Sequence, residues 1–213
     1  FFYQSIVLLI IIFSPIILLI RIFKKKEDKI RFKEKFCFFS KKRGNGKLIW
    51  FHGSSVGEIL SIIPLIEKLE KKNKIDKILV TSSTLSSSKV LSRFKLNKTI
   101  HQFFPIDSDI LAKKFLNYWQ PSAAIFIESE IWPNILKNVR KKNIPLILLN
   151  ARITKKSFNR WKMIPYISKK LFESFDICFS QNQETRKHLK HLGAKKIKSL
   201  GNLKFSESKS QKN

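Results

Sequence analysis

The stretch Lys47-Leu-Ile-Trp-Phe-His-Gly-Ser-Ser-Val-Gly-Glu58 decides the fold. Leu48 to Phe51 is an unbroken apolar run, as expected of a strand covered on both faces. A tight turn at Gly53 follows, and Ser55 and Glu58 then stand at capping-box spacing, with Ser55 as N-cap and Glu58 at the third helical position. Ile59, Leu60, Ile62, Ile63, Ile66 and Leu69 recur at the spacing of one helix face. Strand, turn and helix together deliver Glu58 to the carboxyl edge of a sheet, where open α/β sheets hold their ligands. Two readings of Glu58 stand side by side. It closes the cap of its own helix, or it is a general base whose ionised form the helix N-terminus favours.

Outward from this stretch, strands and helices alternate. Apolar segments suited to buried strands recur at Lys77–Thr81, His101–Phe104, Ala123–Ile127, Leu146–Asn150 and Asp176–Phe179, with a weaker one at Ile197–Leu200. Helical patterns intervene at Val56–Lys71, Thr84–Phe94, Ser108–Trp119, Ile131–Lys141 and Glu184–Leu192, with one long helix around Trp161–Phe175. Such alternation predicts an α/β domain with a doubly wound, Rossmann-like parallel sheet over residues 46–205. Residues 206–213 are polar and read as a linker.

On the N-terminal side, residues 1–23 carry an aliphatic run that predicts a membrane helix, with Pro15 tolerated in lipid. No basic segment precedes the run and no small-residue cleavage site follows it, which argues against a signal peptide. Arg21, Lys24, Lys25 and Lys26 follow, so the positive-inside rule places the remainder in the cytoplasm, held by a single anchor. The basic segment 24–45 is expected to lie against anionic lipid headgroups.

The formal net charge is +28, from 43 Lys and Arg against 15 Asp and Glu, and it implies an anionic partner. A compositional bias toward solvated lysines is the competing explanation. The two cysteines, Cys37 and Cys178, lack disulfide or metal spacing, and the four histidines are scattered. Neither a G-x-G-x-x-G turn nor a P-loop is present, which excludes both common nucleotide sites from this stretch of chain.

Four further strand ends carry polar groups. Ile125-Phe-Ile-Glu-Ser-Glu-Ile-Trp-Pro-Asn134 brings Glu128 and Glu130 to the same sheet edge as Glu58, with Pro133 in the first turn of the next helix. Asn150-Ala-Arg152 offers a guanidinium that holds a phosphate or carboxylate, or pairs with a neighbouring glutamate. Gln181-Asn182 and Gly201-Asn-Leu-Lys-Phe205 close the series.

Together with the N-terminal anchor, these motifs, in this order and spacing, resemble the 3-deoxy-D-manno-octulosonic acid (Kdo) transferases, which move Kdo from CMP-Kdo to a lipid A precursor such as lipid IVA. The resemblance implies a GT-B fold of two Rossmann-like halves, this chain being the acceptor half, on the cytoplasmic face of the inner membrane. It implies an inverting transfer with Glu58 as the base and with Glu128 and Lys204 stabilising the transition state. A cation such as Lys204 near the donor offsets charge building on the departing phosphate. His52, Ser54, Ser55, Gly57, Glu130, Asn134, Arg152 and Asn182 are the implied substrate-binding residues. No metal or cofactor is implied, and CMP-Kdo is expected to bind through a C-terminal half beyond this chain. Where the family usually has an acidic residue after Lys204-Phe205, this sequence has Ser206. Two other readings remain: a membrane-tethered module binding polyanions such as RNA or phospholipid without catalysis, and a lipid-linked GT-B transferase using another sugar. No RNA-recognition motif accompanies the charge, so no specific nucleic acid is expected.

Overall fold

Leu48–His52 forms strand β1, buried along its whole length in the interior of the sheet. The computed structural model describes residues 2–201; Lys204 and the polar tail 206–213 lie outside the described residues. The other strands are β2 (Lys77–Ser82), β3 (Thr99–Phe103), β4 (Ala123–Ile127), β5 (Leu146–Ala151), β6 (Ile177–Ser180) and β7 (Ile197–Ser199). All pair in parallel, in the order β3-β2-β1-β4-β5-β6-β7. The order reverses between β1 and β4, and this switch point opens a crevice at the carboxyl ends of those two strands.

Alternation along β1 sorts the core into two layers. Leu48 and Trp50 face a cluster built with Phe115, Trp119, Leu136, Val139 and Phe172. Ile49 and Phe51 face the other, with Ile59, Ile62, Ile63 and Ile66. The second cluster rests on helix α2 (Val56–Glu70), followed by α3 (Leu85–Leu91). The first rests on α4 (Asp109–Trp119), α5 (Pro133–Lys141), α7 (Pro165–Phe172) and α8 (Gln183–His191). Trp50, Phe51 and Trp119 are wholly buried, and truncating such a residue to alanine costs about 3–5 kcal/mol. Ser55, Thr84, Ser108 and Asn182 cap α2, α3, α4 and α8 by accepting the N–H of the third helical residue. Thr154 does the same for α6 (Lys155–Lys162).

One expectation is corrected here. The long helix around Trp161–Phe175 is two helices, α6 and α7. Pro165 opens α7, and a proline disfavours helical backbone in the residue before it. Ile164 accordingly sits at φ −128°, ψ 60°, and the chain turns a corner there.

The apolar helix α1 spans Phe2–Phe23, and its Ser5–Phe23 stretch is long and apolar enough to cross a membrane. Val7, Ser14 and Leu18 are buried and Tyr3 and Ile11 half-buried, a stripe at helical spacing. An isolated helix leaves such side chains open, so the rest of the chain covers this stripe. Leu8, Leu9, Ile12, Phe13, Ile16 and Ile17 face outward.

The basic segment after α1 is built into the domain to a greater extent than the sequence led us to expect. A 3-10 turn at Arg31–Phe36 ends at Cys37, which joins the core. Buried Glu34 takes two bonds from Arg31 and one from the Phe103 backbone N–H. Glu27 receives both Arg21 and Lys35, and Arg43 donates to the carbonyls of Trp119 and Gly46. Phe39 stacks on Tyr118 with ring centroids 3.8 Å apart. These cations are neutralised by the protein itself, whereas Lys24, Lys25, Lys26, Lys33, Lys41 and Lys42 remain exposed.

Candidate functional site

The crevice is lined by the turn after β1 and the turn after β4, and Ser54 joins them. Its backbone N–H donates to Glu58 Oε2 at 2.8 Å, and its hydroxyl donates to Glu130 Oε2 at 2.7 Å. The capping interaction of Glu58 is displaced by one residue from the usual box. Its carboxylate takes the N–H of Ser54 and, on Oε1, the hydroxyl of Ser55 at 2.8 Å. Gly53 permits this approach, because a Cβ there would stand 3.1 Å from the Glu58 Cβ. Gly57 lies in the same first turn of α2.

Glu130 is a hub. The same Oε2 that receives Ser54 also receives Trp132 Nε1 at 2.7 Å and lies 3.0 Å from His52 Nε2. An ionised carboxylate only accepts, so His52 Nε2 carries the proton, and Nδ1 meets Thr81 Oγ1 at 3.0 Å. His52 is fully buried and stacks on Phe104 with centroids 3.7 Å apart. Burial opposes ionisation of Glu130, but the bonds from His52, Ser54 and Trp132 outweigh it and hold the carboxyl below its ordinary range. Glu58 moves the other way. Burial raises it most; the Ser55 and Ser54 bonds pull it back, and the charges of Glu130 and Glu128 push it up further. The two carboxyls are thus driven apart in proton affinity, the pattern by which one site carries distinct acid and base groups.

Glu128 is buried, with its backbone at φ 56°, a left-handed conformation that turns the chain out of β4. Its carbonyl accepts the N–H of Arg152 at 3.3 Å, which ties the β4 and β5 turns together. Arg152 itself is exposed, and its guanidinium forms no ion pair among the described residues. Asn134 is buried, and its amide donates to the Asp107 carbonyl. Asn182 caps α8 through its Oδ1, 2.8 Å from the Thr185 N–H. Glu58, Glu128, Glu130, His52, Ser54 and Ser55 therefore gather at the switch point, whereas Asn134 and Asn182 hold neighbouring turns. No cluster of three or more His, Cys, Asp or Glu suited to a metal occurs among the described residues.

Two contributors escaped the sequence reading. Asp107 accepts the N–H groups of Asn134 and Ile135 at the start of α5, and the hydroxyl of Tyr3 from α1. Burial pushes its carboxyl up, against those donors. The polar run Thr81-Ser-Ser-Thr84 at the end of β2 supplies Thr81 under His52 and Ser83 beside Ser54. A serine- and threonine-rich strand end next to the central strand was the available signal.

A parallel doubly wound sheet flanked by helices, with carboxylates gathered at its switch point, is a Rossmann-like α/β domain. Among solved structures, the UDP-GlcNAc 2-epimerase of Neisseria meningitidis, bound to UDP-GlcNAc, matches with a TM-score of 0.52 over 78% of this chain and 52% of that one. At 15% identity the likeness is one of fold alone. The family described as 3-deoxy-D-manno-octulosonic-acid transferase (Kdo transferase) matches residues 30–207, and the chain belongs to that family. It is 37% identical to the 3-deoxy-D-manno-octulosonic acid transferase of Rickettsia bellii over 98% of this chain and 49% of the relative. It is 36% identical to the probable mitochondrial 3-deoxy-D-manno-octulosonic acid transferase of Arabidopsis thaliana over 84% of this chain and 41% of the relative. The chain thus spans half or less of the length of these relatives.

Proposed function

We propose that this chain is the acceptor half of a membrane-associated, inverting glycosyltransferase that moves Kdo from CMP-Kdo to a lipid A precursor of the lipid IVA type. The observation that carries the reading is Ser54, one residue bonded to both Glu58 and Glu130 in a chain of the Kdo transferase family. Glu58 is the base. The acceptor hydroxyl displaces the exposed Ser55 hydroxyl from Oε1 and gives up its proton there. As it does so, its oxygen bonds to the anomeric carbon of Kdo and the bond from that carbon to the CMP phosphate breaks, CMP leaving with the electron pair. A carboxyl with raised proton affinity suits this step near neutral pH. Glu130 stays ionised and, through Ser54, holds the Glu58 turn in place. Glu128 and Lys204 stabilise the transition state, and Arg152 holds an anionic group of a substrate. The CMP-Kdo donor binds mainly through a C-terminal half, as expected from the length of the relatives. Helix α1 and the exposed lysines that follow it hold the domain at the cytoplasmic face of the inner membrane.

The test is Glu58→Gln in this chain assembled with a nucleotide-binding half, assayed by mass spectrometry of the lipid product. Transfer should fall by about 100- to 10,000-fold with acceptor binding retained. Full activity in the variant returns Glu58 to capping alone.

A further inference from the structure

Beside the crevice lies a cavity of about 1000 Å³, at the upper end of the roughly 300–1,000 Å³ range of ligand sites. Its walls are Ile6 of α1, Ile131 and Trp132 from the turn after β4, and Ile164, Ile167 and Leu171 at the α6–α7 corner. Three of these are left substantially open, Ile6 at 38%, Ile164 at 42% and Ile167 at 46%. Lys137, Arg140, Lys170 and Lys195 stand around it. Arg140 pairs with Asp176 at 2.9 Å and Lys137 lies 3.8 Å from Asp109, so Lys170 and Lys195, near Glu173, are the cations with no ion pair among the described residues. An apolar hollow ringed by cations fits a molecule with hydrocarbon chains and an anionic head.

We infer that this cavity receives the acyl chains of the phosphorylated glycolipid acceptor itself. The inference rests on the acceptor role proposed above. Three observations select this occupant. Trp132 is shared: its indole N–H holds Glu130 in the crevice while the residue walls the cavity, so head and chains of one molecule lie on either side of it. Ile6 belongs to the helix that is apolar enough to enter a membrane, so chains reach the cavity from lipid without crossing water. Lys170 and Lys195, which no acid engages among the described residues, match phosphates on the head. The α6–α7 corner, opened by Pro165, brings Ile164 and Ile167 to the site, and Met163 and Tyr166 extend the same exposed surface.

The experiment uses the full chain in mild detergent. The probes are water-soluble bisphosphorylated glucosamine disaccharides whose short acyl chains lengthen one methylene at a time, together with the acyl-free disaccharide. Each methylene should tighten binding about fourfold. Ile167→Trp, which fills a half-open position, should flatten that series while leaving acyl-free binding unchanged. A chain-terminal diazirine on the longest probe should label the unmutated protein at Ile131, Ile164, Ile167 and Leu171, so the result does not depend on a variant that folds. Acyl-free binding with no gain from chain length overturns the inference and leaves the acceptor reading standing. Labelling by an equivalent phosphatidylglycerol that the glycolipid fails to displace assigns the cavity to bulk lipid and overturns it too. Failure of every disaccharide to bind overturns both.

Discussion

Removing the Glu130 carboxylate should be the most damaging single change in the crevice, and its size follows from the bonds it holds. One oxygen of Glu130 takes Ser54, Trp132 and His52 at 2.7–3.0 Å, and the His52 ring is wholly buried. A hydrogen bond to a charged group contributes roughly 1.5–3 kcal/mol and a neutral one roughly 0.5–1.5. Glu130→Gln keeps an oxygen acceptor but loses the charge; relief of its repulsion on Glu58 offsets part of the loss. We expect a net cost of about 1–2 kcal/mol. Glu130→Ala leaves the buried His52 N–H with no acceptor, which by itself costs about 1–3 kcal/mol. It removes the acceptor of Ser54 and Trp132 as well, so it should cost more than the Gln variant. Urea unfolding in mild detergent, followed by tryptophan fluorescence, reads both as shifts in midpoint at constant m. The pH dependence carries a further signature. Because the folded carboxyl is depressed, its contribution is complete above the ordinary value of 4.5 and fades as pH falls through the lower folded value. The difference between wild type and Glu130→Gln should therefore hold from neutral pH to about 4.5 and shrink below it. If Glu130→Ala shifts stability within the roughly 0.5 kcal/mol of an ordinary surface change, the hub does not exist as described.

Glu58 should behave oppositely: its raised carboxyl makes stability fall as pH climbs from 4.5 through the folded value, and Glu58→Gln should remove that slope in thermal melts. The His101 imidazole, driven to about 3 by burial and then by the Arg31 charge, should cost stability as pH drops from 6.5 toward that value; His101→Gln should abolish the loss. Gly53→Ala, whose Cβ meets the Glu58 stem at 3.1 Å, should destabilise by about 1–3 kcal/mol and lower transfer in the assembled enzyme. Trp50→Phe forfeits the bond to Thr81 Oγ1 at 2.9 Å and should cost about 1–3 kcal/mol in the same urea assay, with no change in m.

The alternation of strands and helices was legible because each signal lies within a few residues of its cause. Leu48–Phe51 reads as a buried strand from its own side chains, and Ser55 announces a helix start through a bond three residues long. The gathering of Glu58, Glu128 and Glu130 at one edge was legible too, since strand ends in a parallel sheet share that edge. Tertiary structure alone decided the rest. Glu130 became the hub because His52, 78 positions away, is its neighbour across the β1–β4 switch point. Asp107 serves α5 and α1 from a loop whose local sequence reads only as a cap for α4. The cations near Arg31 and Lys35 turn inward because buried Glu34 and Glu27 await them. Periodicity and capping are properties of consecutive residues, whereas which distant groups meet depends on how the layers pack, and burial then sets what each charge costs.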